Sequence, residues 1–380
     1  MRIAIVGGGT GGHVYPGIAV AQAWRDRAEI VFLGQKNKLE GQAVPQADFK
    51  LIPIAASPIS RKISLDLFKT GWNLLRGTLQ SFRFLRKFKP DLILGTGGYV
   101  AAPALLGALL LKIPIILHEQ NAYPSLTNRL LSRAAKVVCI SLSPAEKHFP
   151  RAKKIILTGN PVRSDILDYD RKKARLELGL EEQDQMVLIA GGSQGARSVN
   201  RAVVRWLKNN EIKKNWKIVH ATGKDNYSDV LAYYKKLGVK PEEKSYLQML
   251  PYIDKMGQFL AAADLFVGRS GATTVSEIIA RGIPAILIPY PFAAEDHQTA
   301  NARFLEKNGA AIILPDEELE AGKLASLVEE LLNDRKRLEK MGRESTILCQ
   351  ENSVEQISKV METVLQKPNV GNKGGENLGK

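Results

Sequence analysis

The chain has 380 residues, 44% hydrophobic, 24% charged and 7% aromatic, which excludes a disordered, collagen-like or disulfide-stapled protein and by length implies two domains. Its net charge of +15 lies wholly in residues 1–163, with 23 Lys/Arg against 8 Asp/Glu, while residues 164–380 balance at 31 each. That division excludes a uniformly basic nucleic-acid binder and turns one half toward something anionic.

In chain order, short Val/Ile/Leu runs alternate with amphipathic stretches. Strands are predicted near Arg2–Val6, Ile30–Leu33, Leu51–Ile54, Leu92–Leu94, Ile115–Leu117, Val137–Ile140 and Ile155–Thr158. A second series falls near Met186–Ala190, Ile218–His220, Ser245–Gln248, Leu265–Val267, Ala285–Ile288 and Ala311–Leu314. Continuous apolar strands separated by helices imply α/β domains with parallel sheets covered on both faces. The break at Gly159-Asn160-Pro161-Val162-Arg163, followed by a charged helix near Tyr169–Leu178, divides two doubly wound, Rossmann-like domains, 1–162 and 163–366. The second includes the helices that follow Leu314, and the Gly/Asn/Lys-rich tail 367–380 reads as disordered. A cleft between the carboxyl ends of the two sheets is the expected ligand site.

Met1–Val6 runs directly into glycines and shows no signal peptide. The apolar run Tyr99–Leu111 contains Pro103 and Gly107, ends at Lys112, and is too short to span a bilayer. The two cysteines, Cys139 and Cys349, form no CxxC pair and fit a reducing compartment. Residues 57–90 carry eight basic residues against one acid, Asp66, interleaved with Phe68, Trp72, Phe82, Phe84, Phe88 and leucines. Arg61, Lys62, Lys69, Trp72, Arg76, Arg83, Arg86 and Lys87 form a candidate patch for an anionic membrane surface, the alternative being a packed amphipathic helix with a solvated basic face.

Four glycine-rich turns each follow a predicted strand: Gly7–Gly12, Gly95–Gly98, Gly191–Gly195 and Gly268–Gly271. Glycines let backbone approach a phosphate, and helix N-termini offer free N–H groups. The first turn also satisfies GxGxxG at Gly7, Gly9 and Gly12, but the following strand ends at Leu33-Gly34-Gln35-Lys36 with no carboxylate for a ribose. An NAD-dependent oxidoreductase is therefore the runner-up. In the second half, a helix opening at Ala272-Thr273-Thr274-Val275-Ser276 would set its amides on a pyrophosphate, and Glu277 would accept from both ribose hydroxyls.

The motifs Gly8-Gly9-Thr10-Gly11-Gly12-His13, His118-Glu119-Gln120-Asn121, Gly159-Asn160-Pro161-Val162-Arg163, Gly192-Ser193-Gln194-Gly195-Ala196 and Arg269–Glu277 together resemble the MurG family of bacterial cell-wall glycosyltransferases. The resemblance covers Met1 to about Ala310 and implies a GT-B fold. It also implies transfer of N-acetylglucosamine, with inversion, from UDP-N-acetylglucosamine to lipid I (undecaprenyl-pyrophosphoryl-N-acetylmuramyl-pentapeptide), giving lipid II. UDP-N-acetylglucosamine is then the donor substrate, with no cofactor and no metal, and the protein works peripherally at the cytoplasmic face of the cell membrane. The resemblance places Thr10, Gly11 and Gly12 near donor sugar and diphosphate, Asn121, Arg163 and Gln194 on the donor, and Ser193 at a phosphate. It places Tyr252 and Ile253 at the uracil, Ala272–Ser276 at the phosphates, Glu277 at the ribose, and Gln298 and Asn301 at sugar hydroxyls.

The acceptor hydroxyl needs a base. Of His13, His118, His148, His220 and His297, His13 in the first glycine turn is the first candidate, with Glu119 second. The other reading of His13 is a structural hydrogen bond within its turn. Asp168-Tyr169-Asp170 matches a DxD metal pattern, but it lies in a charged linker, and Asn226-Tyr227-Ser228 is a sequon without consequence in the cytosol. Competing expectations are another GT-B transferase with a different acceptor and a non-catalytic nucleotide-sugar sensor.

Overall fold

The computed structural model describes residues 1–58, 65–192, 194–320 and 322–366, with the backbone alone for 65–68. Arg61, Lys62, Ser193 and the tail 367–380 lie outside the described residues. The first half contains β1 (Arg2–Gly7), β2 (Glu29–Gly34), β3 (Lys50–Pro53), β4 (Leu92–Gly97), β5 (Ile115–Glu119), β6 (Val137–Ile140) and β7 (Ile155–Leu157). The second contains β8 (Gln185–Ala190), β9 (Trp216–Ala221), β10 (Leu247–Leu250), β11 (Leu265–Gly268), β12 (Ala285–Leu287) and β13 (Ala311–Ile313). All pairings are parallel, in the orders β3-β2-β1-β4-β5-β6-β7 and β10-β9-β8-β11-β12-β13. Every predicted strand is present, with ends shifted by a few residues.

Both faces of each sheet are buried, which is why the strands read as unbroken apolar runs. Val31 and Leu33 point into one N-terminal core with Ala104 and Leu105, while Ile30 and Phe32 point into the other with Val14 and Trp24. Strand order reverses between β1 and β4 and between β8 and β11. The four glycine turns follow these four strands, at the two switch points where doubly wound sheets hold ligands.

The last helix departs from expectation. Ser353–Gln366, assigned by sequence to the C-terminal domain, buries Ile357, Val360 and Met361 against the N-terminal core, and Trp24 Nε1 donates to Ser358 Oγ at 2.9 Å. An i, i+3, i+4 apolar stripe demands a partner without naming one. The short segment after the Arg335–Ile347 helix carries the chain across to the first sheet.

The long basic helix is Leu65–Phe88. Gly77, Ser81 and Leu85 form its buried stripe, and a methyl on Gly77 or Gly107 would collide with the other element or its neighbours, so this helix and Ala101–Leu110 pack closely. Its other face exposes Lys69, Trp72, Leu75, Arg76, Leu79, Arg83, Arg86 and Lys87. Among the described residues no helix is long and apolar enough to cross a membrane.

Candidate active site

The first glycine turn is shaped by a carboxylate that sequence reasoning missed. Glu40 is 1% exposed; its Oε2 accepts from Gly9 N and its Oε1 from Gln35 N, both at 3.1 Å. The side chain occupies the space a residue larger than glycine would need at position 8. This turn therefore spends an amide on the protein's own anion and sets negative charge where a dinucleotide phosphate would lie. That is the structural reason the NAD reading fails. The acid does follow β2, but it caps the loop and does not await a ribose.

His13 stands in the first turn of the Gly11–Ala23 helix. The ring rests on Gly97 and Gly98, both with left-handed φ (+100° and +79°), where an added Cβ would approach it to 2.9 and 3.2 Å. Thr96 Oγ1 donates to the His13 carbonyl at 2.6 Å, and Thr10 Oγ1 lies 3.1 Å from His13 Nδ1. Burial, aided by the nearby His297, lowers the His13 pKa to about 4 against the pull of the Gly8 carbonyl. At neutral pH the ring is uncharged, with a lone pair available for a proton.

Glu119 is not available as a base. It is 0% exposed, and its two oxygens accept from Asn121 N at 3.0 Å, Asn121 Nδ2 at 3.1 Å, Ser125 N at 3.1 Å and Asn128 Nδ2 at 2.8 Å. Burial pushes its pKa up while these donors pull it down. Its work is to fold the 120–128 loop. His118 is equally enclosed: Nε2 contacts Gly159 O at 3.1 Å and Ser141 Oγ at 3.2 Å, Nδ1 faces Gln120 Nε2 at 2.9 Å, and burial lowers its pKa to about 4.

Across the cleft, the Ala272–Arg281 helix opens after extended Gly271 with no side-chain cap and no acid in its first turn. Its leading amides at Ala272, Thr273 and Thr274 are thus free of a side-chain competitor, the inverse of the Glu40-filled turn opposite. The two turns meet: Thr273 Oγ1 lies 3.6 Å from where a Cβ on Gly12 would stand. Thr10, Gly11 and Gly12 line this junction from the N-terminal side. Val275 is a core residue at 0% exposure, so only its backbone faces the turn. Ser276 is likewise turned away: its hydroxyl donates to Ala272 O at 2.8 Å and accepts from Asn160 Nδ2 at 3.1 Å, tying helix to linker.

Glu277 is half-buried one turn further on. Burial raises its pKa to about 7; Arg163 pulls it down and Asp165 pushes it up. Arg163 itself stands just before the Ser164–Leu167 helix, with Nε 3.5 Å from Asp165 Oδ1. Tyr252 is 39% exposed under the Lys224 ammonium, 4.8 Å from its ring centroid, and the Ile253 side chain is buried, leaving backbone for a ligand edge. Gln194 is exposed, and its carbonyl accepts from Asn226 Nδ2 at 2.6 Å.

The two residues expected at sugar hydroxyls both engage protein partners. Gln298 Oε1 accepts from Tyr290 N at 3.0 Å, and its carbonyl accepts from Ser270 Oγ at 2.9 Å. Asn301 is 0% exposed: Oδ1 accepts from Ala122 N at 2.8 Å, and Nδ2 donates to Asn121 Oδ1 and Ser270 O, both at 3.1 Å. Asn121 and Asn301 therefore hold one another. Arg269, 9% exposed, donates to Ile288 O, Pro289 O, Ser198 Oγ and Asp316 Oδ1 and fixes the strand-to-turn corner. Asp170, from the DxD pattern, caps the Arg171–Glu177 helix through Lys173 N at 3.0 Å. On the linker side a cavity of about 1300 Å³ is bounded by Tyr15, Asn160, Arg163, Ser276 and Gln350.

The glycosyltransferase family 28 N-terminal domain matches residues 3–140, and the family 28 C-terminal domain matches residues 186–361. A protein of Halothermothrix orenii, 45% identical over 91% of this chain and 94% of its own length, is named UDP-N-acetylglucosamine--N-acetylmuramyl-(pentapeptide) pyrophosphoryl-undecaprenol N-acetylglucosamine transferase. A Desulfitobacterium hafniense protein of the same name is 42% identical, covering 95% of this chain and 98% of its own. The crystal structure of Acinetobacter baumannii MurG superposes with a TM-score of 0.75 at 30% identity, over 95% of this chain and 99% of that one. UDP-GlcNAc 2-epimerase from Neisseria meningitidis, at 15% identity and TM-score 0.65 over 96% and 100% of the two chains, shares the fold alone.

Proposed function

Since the chain belongs to the UDP-N-acetylglucosamine--N-acetylmuramyl-(pentapeptide) pyrophosphoryl-undecaprenol N-acetylglucosamine transferase family, we propose that it moves N-acetylglucosamine from UDP-N-acetylglucosamine to the 4-hydroxyl of N-acetylmuramic acid in lipid I. The observation that carries the mechanism is the uncapped N-terminus of Ala272–Arg281 facing the His13 turn across the cleft. The diphosphate lies on the Ala272–Thr274 amides, and the Glu40 carboxylate keeps that charge off the opposite turn. Glu277 accepts from the ribose hydroxyls, with Arg163 beside it. The uracil edge meets the backbone at Ile253, and Tyr252 packs nearby.

The reaction is a single displacement. The acceptor oxygen bonds to the anomeric carbon as the bond from that carbon to the diphosphate oxygen breaks, so the α-linked donor gives a β-1,4 product. The hydroxyl proton passes to the His13 imidazole, and UDP leaves with the bonding pair. Developing charge on UDP meets fixed amides, the helix dipole and the Arg163 guanidinium. The approaching diphosphate also raises the proton affinity of His13 above its value in the empty site.

The exposed face of Leu65–Phe88 is the membrane contact in this reading. Trp72 (65% exposed), Leu75 (53%) and Leu79 (47%) insert among headgroups while Lys69, Arg76, Arg83, Arg86 and Lys87 meet anionic lipid. The first half then presents the lipid-linked acceptor from the bilayer, and the second carries the donor. Incubation of the protein with UDP-N-acetylglucosamine and lipid I in mixed micelles tests the assignment: a lipid-linked disaccharide and one UDP per transfer are expected. Failure to consume the donor in the presence of lipid I would remove it.

A further inference from the structure

Asn301 was expected at a sugar hydroxyl, yet it is 0% exposed and both atoms of its amide engage protein. It sits on the His297–Lys307 helix of the second half and reaches across to the first, where its Oδ1 accepts from Ala122 N at 2.8 Å and its Nδ2 donates to Asn121 Oδ1 at 3.1 Å. The same Nδ2 donates to Ser270 O at 3.1 Å. Ser270 is the residue before Gly271, so one amide pins the opposite domain and the turn that leads into the Ala272–Arg281 helix.

A second crossing lies beside it. Arg129 Nη2 meets Glu295 Oε1 at 2.8 Å, with both side chains less than a third exposed. Arg129 is held from behind: Nη1 donates to Tyr123 Oη at 3.1 Å, and the guanidinium covers the Tyr123 ring at 5.0 Å. Glu295 and its neighbour Asp296 both take left-handed φ, 56° and 53°. Two consecutive non-glycine residues there are sterically costly and persist only where other contacts compensate. The strained corner delivers Glu295 to Arg129 and starts the helix that delivers Asn301.

Buried Glu119 anchors the other side. Its oxygens hold Asn121 through N and Nδ2, Ser125 through N and Asn128 through Nδ2. These bonds fix the loop that offers Asn121 Oδ1 and Ala122 N, and they seat the short Leu126–Leu131 helix that bears Arg129.

We infer that Asn301 and the Arg129–Glu295 pair form a two-point latch, anchored by Glu119, that couples closure of the two domains to the shape of the phosphate turn. Asn301 is on this account a positioning residue. Closure seats it against Asn121 and Ala122, and the same amide holds Ser270 O, so the closed protein presents the Ala272–Thr274 amides in one arrangement. This goes beyond donor assignment but rests on the reading that the turn receives a diphosphate.

The test uses Asn301→Asp and Glu295→Gln in the full chain, with spin labels on exposed positions of each half. Asn301→Asp keeps an acceptor for Ala122 N but cannot donate to Asn121 Oδ1 or Ser270 O. Glu295→Gln removes the ion pair at a partly exposed site and leaves the core untouched, so it reports even where Asn301→Asp fails to fold. Pulsed electron paramagnetic resonance without ligand should show broader, longer distances between the halves in both variants. Affinities for UDP and UDP-N-acetylglucosamine should fall by one common factor, within the roughly 5–150-fold usual for such coupling. Loss of affinity for the nucleotide sugar with UDP binding intact would make Asn301 a sugar contact and overturn the latch. Wild-type distances in the variants would overturn it as well. A wild-type protein that binds neither nucleotide would instead sink the donor reading, while the ligand-free distances still decide the latch.

Discussion

Glu277 offers the most quantitative prediction, because burial raises its pKa to about 7, while Arg163 and Asp165 act on it in opposite directions. Only the carboxylate can accept from both ribose hydroxyls; the protonated acid donates one hydrogen and loses the charge that strengthens the bonds. With a free-site pKa near 7, about nine-tenths of sites are ionised at pH 8 and about one-tenth at pH 6. Donor affinity should therefore fall about tenfold from pH 8 to pH 6. The sign follows from the raised pKa: binding favours the ionised form and is lost as pH falls through 7. Isothermal titration with UDP-N-acetylglucosamine suits the measurement, since a diphosphate diester does not titrate in this range. Glu277→Gln keeps the shape and lowers each of two charge-assisted bonds by roughly half, about 1.5–3 kcal/mol in all, or about 10–150-fold in affinity at pH 8. Its affinity should be flat between pH 6 and pH 8. A flat wild-type profile, or a glutamine variant binding as tightly as wild type at pH 8, refutes the ribose role.

His13→Ala should lower kcat by at least about 10²-fold with little change in donor KM, read from steady-state kinetics; a smaller loss returns His13 to holding its turn. Glu119→Gln sets an amide against donors it cannot all satisfy, so thermal melting should report a loss of about 1–3 kcal/mol. If Glu119 were instead the base, the acid limb of the kcat profile would vanish with folding intact. His118 and His220 are fully buried and neutral, with pKa values lowered to about 4 and about 3. Below about pH 6.5 the unfolded chain takes up their two protons and that of His13, whose pKa is also lowered to about 4, while the native chain already holds one on Glu277. About two protons are therefore gained on unfolding, and stability in urea should fall toward pH 4 with a slope approaching about 2.7 kcal/mol per pH unit; stability constant from pH 6.5 to 4.5 would contradict this. Replacing Arg83, Arg86 and Lys87 with glutamine should weaken binding to anionic vesicles roughly a hundredfold at low salt, about 1 kcal/mol per charge, with the gap closing as salt rises. Equal sedimentation of variant and wild type with vesicles would remove the patch.

The architecture was legible because parallel strands buried on both faces leave continuous apolar runs, as in Ile3–Val6 and Leu92–Leu94. The glycine turns were legible because close backbone approach admits little else: a methyl on Gly7 would stand 1.9 Å from Thr96 Oγ1. Side chains whose partners come from distant chain were not. Glu40 meets Gly9 across 31 residues, Arg129 meets Glu295 across 166, and Asn301 meets Ala122 across 179. An asparagine inside a motif carries no mark that tells a ligand contact from a bolt between domains. Glu119 looked like a base for the same reason: sequence shows a carboxylate beside a histidine, and only packing shows four donors already upon it. The final helix misled in the same way, since its apolar stripe fits either sheet.

The most direct test is a crystal structure of the protein with UDP-N-acetylglucosamine bound. The account predicts diphosphate oxygens within hydrogen-bond distance, about 2.7–3.2 Å, of the Ala272–Thr274 amides, both ribose hydroxyls on Glu277, and the anomeric carbon turned toward His13. A nucleotide seated instead on the Gly7–Gly12 turn, or a diphosphate remote from residues 272–274, would contradict it.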